Sequence, residues 1–193
     1  MLNSILSGKK LILGSGSPRR SFFLKELGLD FETRLKETEE IYPERLKKKQ
    51  ISEYLALQKA EPFKEELKEN EILITADTIV WHENDALGKP KSKEEAVQML
   101  QSLSNKTHEV ISSVALTSLQ DQIVFSDLTR VTFKKLNEEE INYYVDNYKP
   151  FDKAGGYGIQ EWIGYIGVTD IEGSYFNVMG FPVQKFYETL RQF

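Results

Sequence analysis

The sequence predicts a mixed α/β fold, a twisted sheet flanked by helices, and three observations carry that expectation. Strand-length apolar stretches alternate with helix-length amphipathic ones early in the chain. Paired β-rich stretches joined by turn residues appear later. No linker is long enough to part autonomous domains, so residues 1–193 read as a single domain.

Lys10 to Gly14 (KLILG) reads as a buried strand ended by the turn Gly14-Ser15-Gly16. Ser17 suits an N-cap and Pro18 the first helical position, which opens a helix to about Leu27 with Gly28 as its stop. Leu29 to Leu35 is expected as a short strand, followed by a polar loop with Glu39, Glu40 and Pro43. Leu46 to Ala60 reads as a helix, and Pro62 breaks its pattern. Ile72 to Val80 is the clearest strand, turned back by Glu83-Asn84-Asp85 into a hairpin that finishes near Gly88. Ser92 with Glu95 caps a helix to about Leu103, and Asn137 with Glu140 caps another to about Asn147. Between them lie two β-rich stretches, Glu109 to Leu119 and Ile123 to Phe133. A glycine-rich loop, Gly155 to Gly158, is expected to lead into short strands, and Pro182 to start the last helix.

Composition narrows the function. The 193 residues are 40% hydrophobic and 28% charged, an ordinary balance for a globular protein. A formal net charge of −5 argues against broad binding to nucleic acid or to an anionic membrane. The absence of cysteine excludes a disulfide scaffold, a thiolate metal site and a thiol nucleophile together. No apolar run approaches the roughly 20 residues of a membrane helix. Met1 to Leu13, with Lys9 and Lys10, show no signal-peptide pattern, and a cytoplasmic protein is expected. The two histidines, His82 and His108, lack metal-ligand spacing, and no G-x-S-x-G elbow occurs.

Five places carry candidate chemistry. Ser15-Gly16-Ser17-Pro18-Arg19-Arg20 joins a strand to a helix start, where free N–H groups and the macrodipole favour an anion. Two arginines there conflict with the dipole; a bound phosphate removes the conflict, whereas in the plainer reading the arginines simply solvate. Asp77 lies inside the apolar run Ile72–Val80, where a carboxylate needs a cation, a metal, solvent or backbone N–H groups. Regular alternation sends Asp77 and Thr78 to opposite faces, so one site holding both requires the strand to end or bulge there. Lys59 recurs with Ile51 and Leu55 at every fourth residue, on the core-facing stripe of its helix, either snorkelling or reaching inward. Lys89 follows the hairpin whose first strand carries Asp77. Asp152-Lys153-Ala154-Gly155-Gly156-Tyr157-Gly158-Ile159-Gln160 permits close backbone approach to a ligand, with Tyr157 offering a stacking face and Gln160 an amide; a flexible hairpin corner is the alternative.

Taken together, Ser15–Arg20, Ala76-Asp77-Thr78, Gly88-Lys89-Pro90, Ser104-Asn105-Lys106-Thr107-His108 and Asp152-Lys153-Ala154-Gly155 resemble, in order and spacing, the Maf family of nucleotide pyrophosphatases. Gly14, Asn105, Gly156 and Glu161 depart from the residues usual there; Asn105 suits a left-handed turn. The resemblance implies two lobes around a central cleft, as in inosine triphosphate pyrophosphatases, with a divalent cation (Mg²⁺ or Mn²⁺), a water nucleophile and a possible homodimer. It implies that Asp77 is the proton acceptor, with Glu40, Lys59 and Lys89 as further active-site groups. The metal would sit on Glu40 and Asp77. Ser15, Ser17, Arg19, Arg20, Thr78, Lys153 and Gln160 would bind substrate. Arg19, Thr78 and Gln160 resemble the set of the dTTP/UTP branch, and a primary amide matches N3–H and O4 of a uracil-type base. The expected reaction releases pyrophosphate and a monophosphate, clearing unwanted nucleotides. A non-catalytic nucleotide-binding regulator of cell division is the alternative, after the family's association with septum formation.

Overall fold

The structure, a computed structural model, describes Leu6 and residues 8–193. The expectation for the chain start therefore falls partly outside the described residues. The strands are β1 (Lys10–Leu13), β2 (Phe31–Thr33), β3 (Glu71–His82), β4 (Asp85–Leu87), β5 (Thr107–Thr117), β6 (Gln122–Phe133) and β7 (Val168–Glu172). They form a seven-stranded mixed sheet in the order β2-β1-β3-β5-β6-β7, with β4 on β3. β1 pairs in parallel with β2 and β3, whereas β3/β4 and β6/β7 are antiparallel. The helices are α1 (Pro18–Glu26), α2 (Lys49–Gln58), α3 (Lys93–Leu103), α4 (Glu138–Tyr148), α5 (Trp162–Gly167), α6 (Tyr175–Val178) and α7 (Val183–Leu190). The expected mixed α/β class is what the chain adopts.

The chain divides into two compact units, one of Met1–Asp77, Ser112–Asp127 and Gly180–Phe193, the other of Thr78–Ile111 and Leu128–Met179. In the first, Ile12, Ala60, Phe63, Leu67 and Leu73 form a buried cluster, and Phe23 stacks on Phe181 at 6.3 Å. Arg34 closes its edge by gripping the buried Glu71 carboxylate with two N–H groups at 2.6 and 2.9 Å. Those bonds hold the Glu71 carboxyl below its ordinary range. In the second unit, α3, α4 and α5 bury Leu100, Leu103, Ile141, Tyr144 and Ile163 against Val80, Val110, Val131 and Phe133.

Local signals worked where the partner lies within a turn. Ser92 Oγ accepts from the Glu95 N–H at 3.2 Å, and Asn137 with Glu140 makes a complete capping box. Gly28 ends α1 with φ +68, and Asn105 takes the left-handed turn with φ +59. Three expectations need correction. The α2 helix begins at Lys49 rather than Leu46, after Lys48 at φ 50. The Ser17 side chain makes no cap bond; its own N–H donates to Ser15 Oγ at 3.3 Å. The short strands expected after Gly158 reduce to β7, because Trp162–Gly167 is helical. Ile163 is fully buried there, so packing overrides the β-leaning composition of WIGYIG.

Gly155 has a specific steric reason. Its φ is +69, and a Cβ would meet Val80 Cγ2 at 2.9 Å and Val80 Cβ at 3.1 Å. Gly155→Ala combines left-handed strain with overpacking, so a destabilisation of about 2–4 kcal/mol is expected in urea titration.

Candidate active site

The first unit assembles a charged cluster around the end of its share of β3. Asp77 is 5% exposed, and the strand runs unbroken through it to His82, so it neither ends nor turns at the carboxylate. Lys59, just past the last residue of α2, reaches Asp77 Oδ1 at 2.5 Å and Glu40 Oε1 at 2.9 Å. The helical stripe through Ile51 and Leu55 is thus buried as expected, and its lysine points inward rather than snorkelling out. Thr75 Oγ1 donates to the Ala56 carbonyl at 2.7 Å, tying β3 to α2 beside this pair.

From α1, Arg20 donates through Nη1 to the Ala76 carbonyl at 2.9 Å and to Ser15 Oγ at 3.1 Å. Its Nε donates to the Gly180 carbonyl at 3.2 Å. The loop after β1 is thereby fastened to the residue preceding Asp77. Sequence reading missed the Ala76 and Gly180 carbonyls; backbone acceptors leave no residue-type signature. Ser15 and Arg20 therefore meet Asp77, Lys59 and Glu40 in one neighbourhood, while Ser17 and Arg19 flank it on the same helix start.

Electrostatics favour a basic carboxylate. Burial is the largest influence on Asp77 and pushes its carboxyl up; Lys59 and Arg20 pull it down, and Glu40 adds to the rise. Burial likewise lowers the Arg20 guanidinium, with Asp77 opposing and the Arg19 charge adding to the drop. Such a guanidinium stays protonated in water. Charges this costly to desolvate are commoner at working sites than in passive cores.

The donor chemistry suits a hard divalent cation. Glu40 and Asp77 converge on one cationic atom, Lys59 Nζ, and the Glu40 side chain is part-exposed. Among the described residues no group of three or more His, Asp or Glu side chains forms a closed metal cage. Two carboxylates completed by phosphate oxygens is the usual pattern for Mg²⁺ with a nucleotide.

The second unit carries the remaining expected residues. Thr78 is partly buried on β3, and Lys89 is exposed just after β4. Lys153 is only 8% exposed and pairs with Asp152 at 2.7 Å and Glu161 at 3.0 Å. The Gln160 carbonyl accepts from Tyr165 Oη at 2.6 Å. Tyr157 is buried and hydrogen-bonded to His108 Nε2 at 2.6 Å, so it is a core strut rather than a stacking surface. Sequence reading also missed Tyr144, whose hydroxyl accepts from the Gly158 N–H at 2.9 Å and donates to Glu161. Its place on the apolar stripe of α4 signalled only core.

Residues 10–193 match the family described as Maf-like protein. A protein of Flavobacterium johnsoniae named dTTP/UTP pyrophosphatase is 59% identical over 98% of this chain and 98% of its own. Proteins of the same name from Flavobacterium psychrophilum and Christiangramia forsetii are 57% and 53% identical. The first covers 97% of this chain and 96% of its own length, the second 100% and 98%. Among solved structures, the Staphylococcus aureus Ham1 protein is a looser likeness: 16% identical, TM-score 0.49, over 65% of this chain and 72% of that one.

Proposed function

The chain belongs to the Maf-like family, and from that premise we propose that it hydrolyses dTTP and UTP to the monophosphate and pyrophosphate. The observation that carries the chemistry is Asp77, a carboxylate buried in an apolar strand and gripped by Lys59, with Arg20 fastened one residue away. A stable fold gains little from that arrangement, since apolar residues of similar volume commonly do as well. A polyphosphate-cleaving site gains a base and two cations.

In this reading Asp77 accepts the proton of the attacking water at the α-phosphorus. Lys59 orients Asp77 and, with Arg20 and Lys89, stabilises negative charge growing on the transferred group and on departing pyrophosphate. Ser15, Ser17 and the amides that follow Ser15 offer donors to phosphate oxygens at the start of α1. Glu40 and Asp77 would hold Mg²⁺ or Mn²⁺, which when bound neutralises part of the triphosphate charge. Arg19, Thr78 and Gln160 are assigned to recognition of the nucleotide, Gln160 reading N3–H and O4 of a uracil-type base. Removal of surplus or modified pyrimidine triphosphates in the cytoplasm is the proposed purpose. Among the described residues no helix is long and apolar enough to cross a membrane.

Incubating the protein with dTTP, UTP and Mg²⁺, with CTP and purine triphosphates alongside, tests the proposal. Pyrophosphate with a monophosphate from dTTP and UTP is expected. Orthophosphate as the first product, or no turnover of any triphosphate, would sink it.

A further inference from the structure

The glycine-rich segment of the second unit is held shut by a carboxylate. Glu161 accepts from Tyr144 Oη through Oε2 and from Lys153 Nζ through Oε1 at 3.0 Å. Lys153 also takes Asp152 Oδ1 at 2.7 Å, and Tyr144 Oη accepts from the Gly158 N–H at 2.9 Å. Residues 153 and 161, at the two ends of the segment, are thus joined side chain to side chain. The clamp is tight: a Cβ on Gly158 would stand 2.9 Å from Glu161 Cδ and 3.0 Å from Lys153 Cε. Gln160 lies directly before Glu161, and its carbonyl is fixed by Tyr165 Oη.

We propose that Glu161 is a specificity-determining positioning residue: by clamping Lys153 and Tyr144 it fixes the backbone from which Gln160 presents its amide to the base. The proposal rests on the nucleotide reading above and assigns Glu161 no contact with substrate. Donor arithmetic explains why a carboxylate is needed. Tyr144 Oη already accepts from Gly158, so its own hydrogen points at Glu161, and Lys153 brings only donors. Glu161 must therefore accept on both oxygens. An amide of the same shape turns an NH₂ against one donor, which leaves a buried polar group unpaired.

Glu161→Gln is consequently the telling variant, since it preserves volume and breaks only the acceptor pattern. KM for UTP and dTTP is expected to rise about tenfold with kcat within about twofold, the pattern of a lost binding-geometry effect. The preference for UTP over CTP should shrink by a similar factor. Tyr144→Phe removes the other side of the clamp and should move both quantities the same way, and Glu161→Asp should restore part of the loss. Unchanged KM and unchanged UTP-to-CTP preference in Glu161→Gln would overturn the proposal. So would a loss confined to kcat and thermal midpoint, the mark of a merely structural role. Amide exchange of Gly158, measured without nucleotide, separates this proposal from the functional one. Faster exchange in Glu161→Gln supports the clamp even if the wild-type protein releases no pyrophosphate, and unchanged exchange refutes it whatever the activity.

Discussion

Asp77→Asn should lower pyrophosphate release from UTP by about a thousandfold, within the range a positioned general base supplies, while the thermal midpoint rises rather than falls. The two effects share one cause. Burial pushes the Asp77 carboxyl up, so its ionised form opposes folding at neutral pH even with Lys59 beside it. A neutral amide of equal size removes that opposition, and Lys59 keeps Glu40 at 2.9 Å. Calorimetry and a pyrophosphate assay on the same preparation read both. In the wild-type protein kcat/KM should fall on the acid side at a pH above the ordinary carboxylate range, as Asp77 takes up its proton. Turnover by Asp77→Asn within tenfold of wild type would remove Asp77 from the role of base.

Lys59→Met should be destabilising, and the penalty should depend on pH in a direction the site dictates. With the ammonium gone, Asp77 remains buried with Arg20 as its nearest other counter-charge, and its carboxyl rises further. Breaking a buried pair by removing one partner costs about 3–5 kcal/mol when the remaining charge must persist. Asp77 can escape that cost by binding a proton. Because its folded-state value is raised, the penalty is present above that value and fades as the pH falls through it. Urea titrations at several pH values should show the gap between wild type and Lys59→Met narrow toward acid. Residual activity should recover only at higher pH, where Asp77 is again ionised. A gap independent of pH would mean that Asp77 does not carry the uncompensated charge.

Legibility followed the range of the interactions. The stripe Ile51, Leu55, Lys59 placed a lysine facing inward, and Asp77 inside an apolar strand demanded a cation; each was readable alone, and the structure joins them at 2.5 Å. The Asn137–Glu140 box and the Gly28 stop were readable because donor and acceptor lie within one turn. Ser17 misled: the sequence suits a cap, but Arg20 binds Ser15 Oγ, and that hydroxyl receives the Ser17 N–H instead. Trp162–Gly167 misled differently, since the segment is helical and buries Ile163, a long-range packing partner that its β-branched and aromatic content does not reveal. The Tyr144–Glu161 bond joins residues 17 apart across a loop, and neither periodicity nor capping chemistry marks such a pair.

His108 sets an acid limit on the fold. Its ring is 2% exposed and packs edge-on to Tyr157. Burial, with the neighbouring His82 charge adding to it, holds the imidazole down at about 3. The native state therefore keeps this ring neutral where a free imidazole would already be cationic. Below about pH 6.5 each further unit of acidity favours the unfolded chain by up to about 1.4 kcal/mol through this one side chain. His108→Phe should accordingly flatten the loss of stability below about pH 6.5 in urea titrations, while lowering stability by about 1–3 kcal/mol at every pH because the buried Tyr157 hydroxyl loses its imidazole partner.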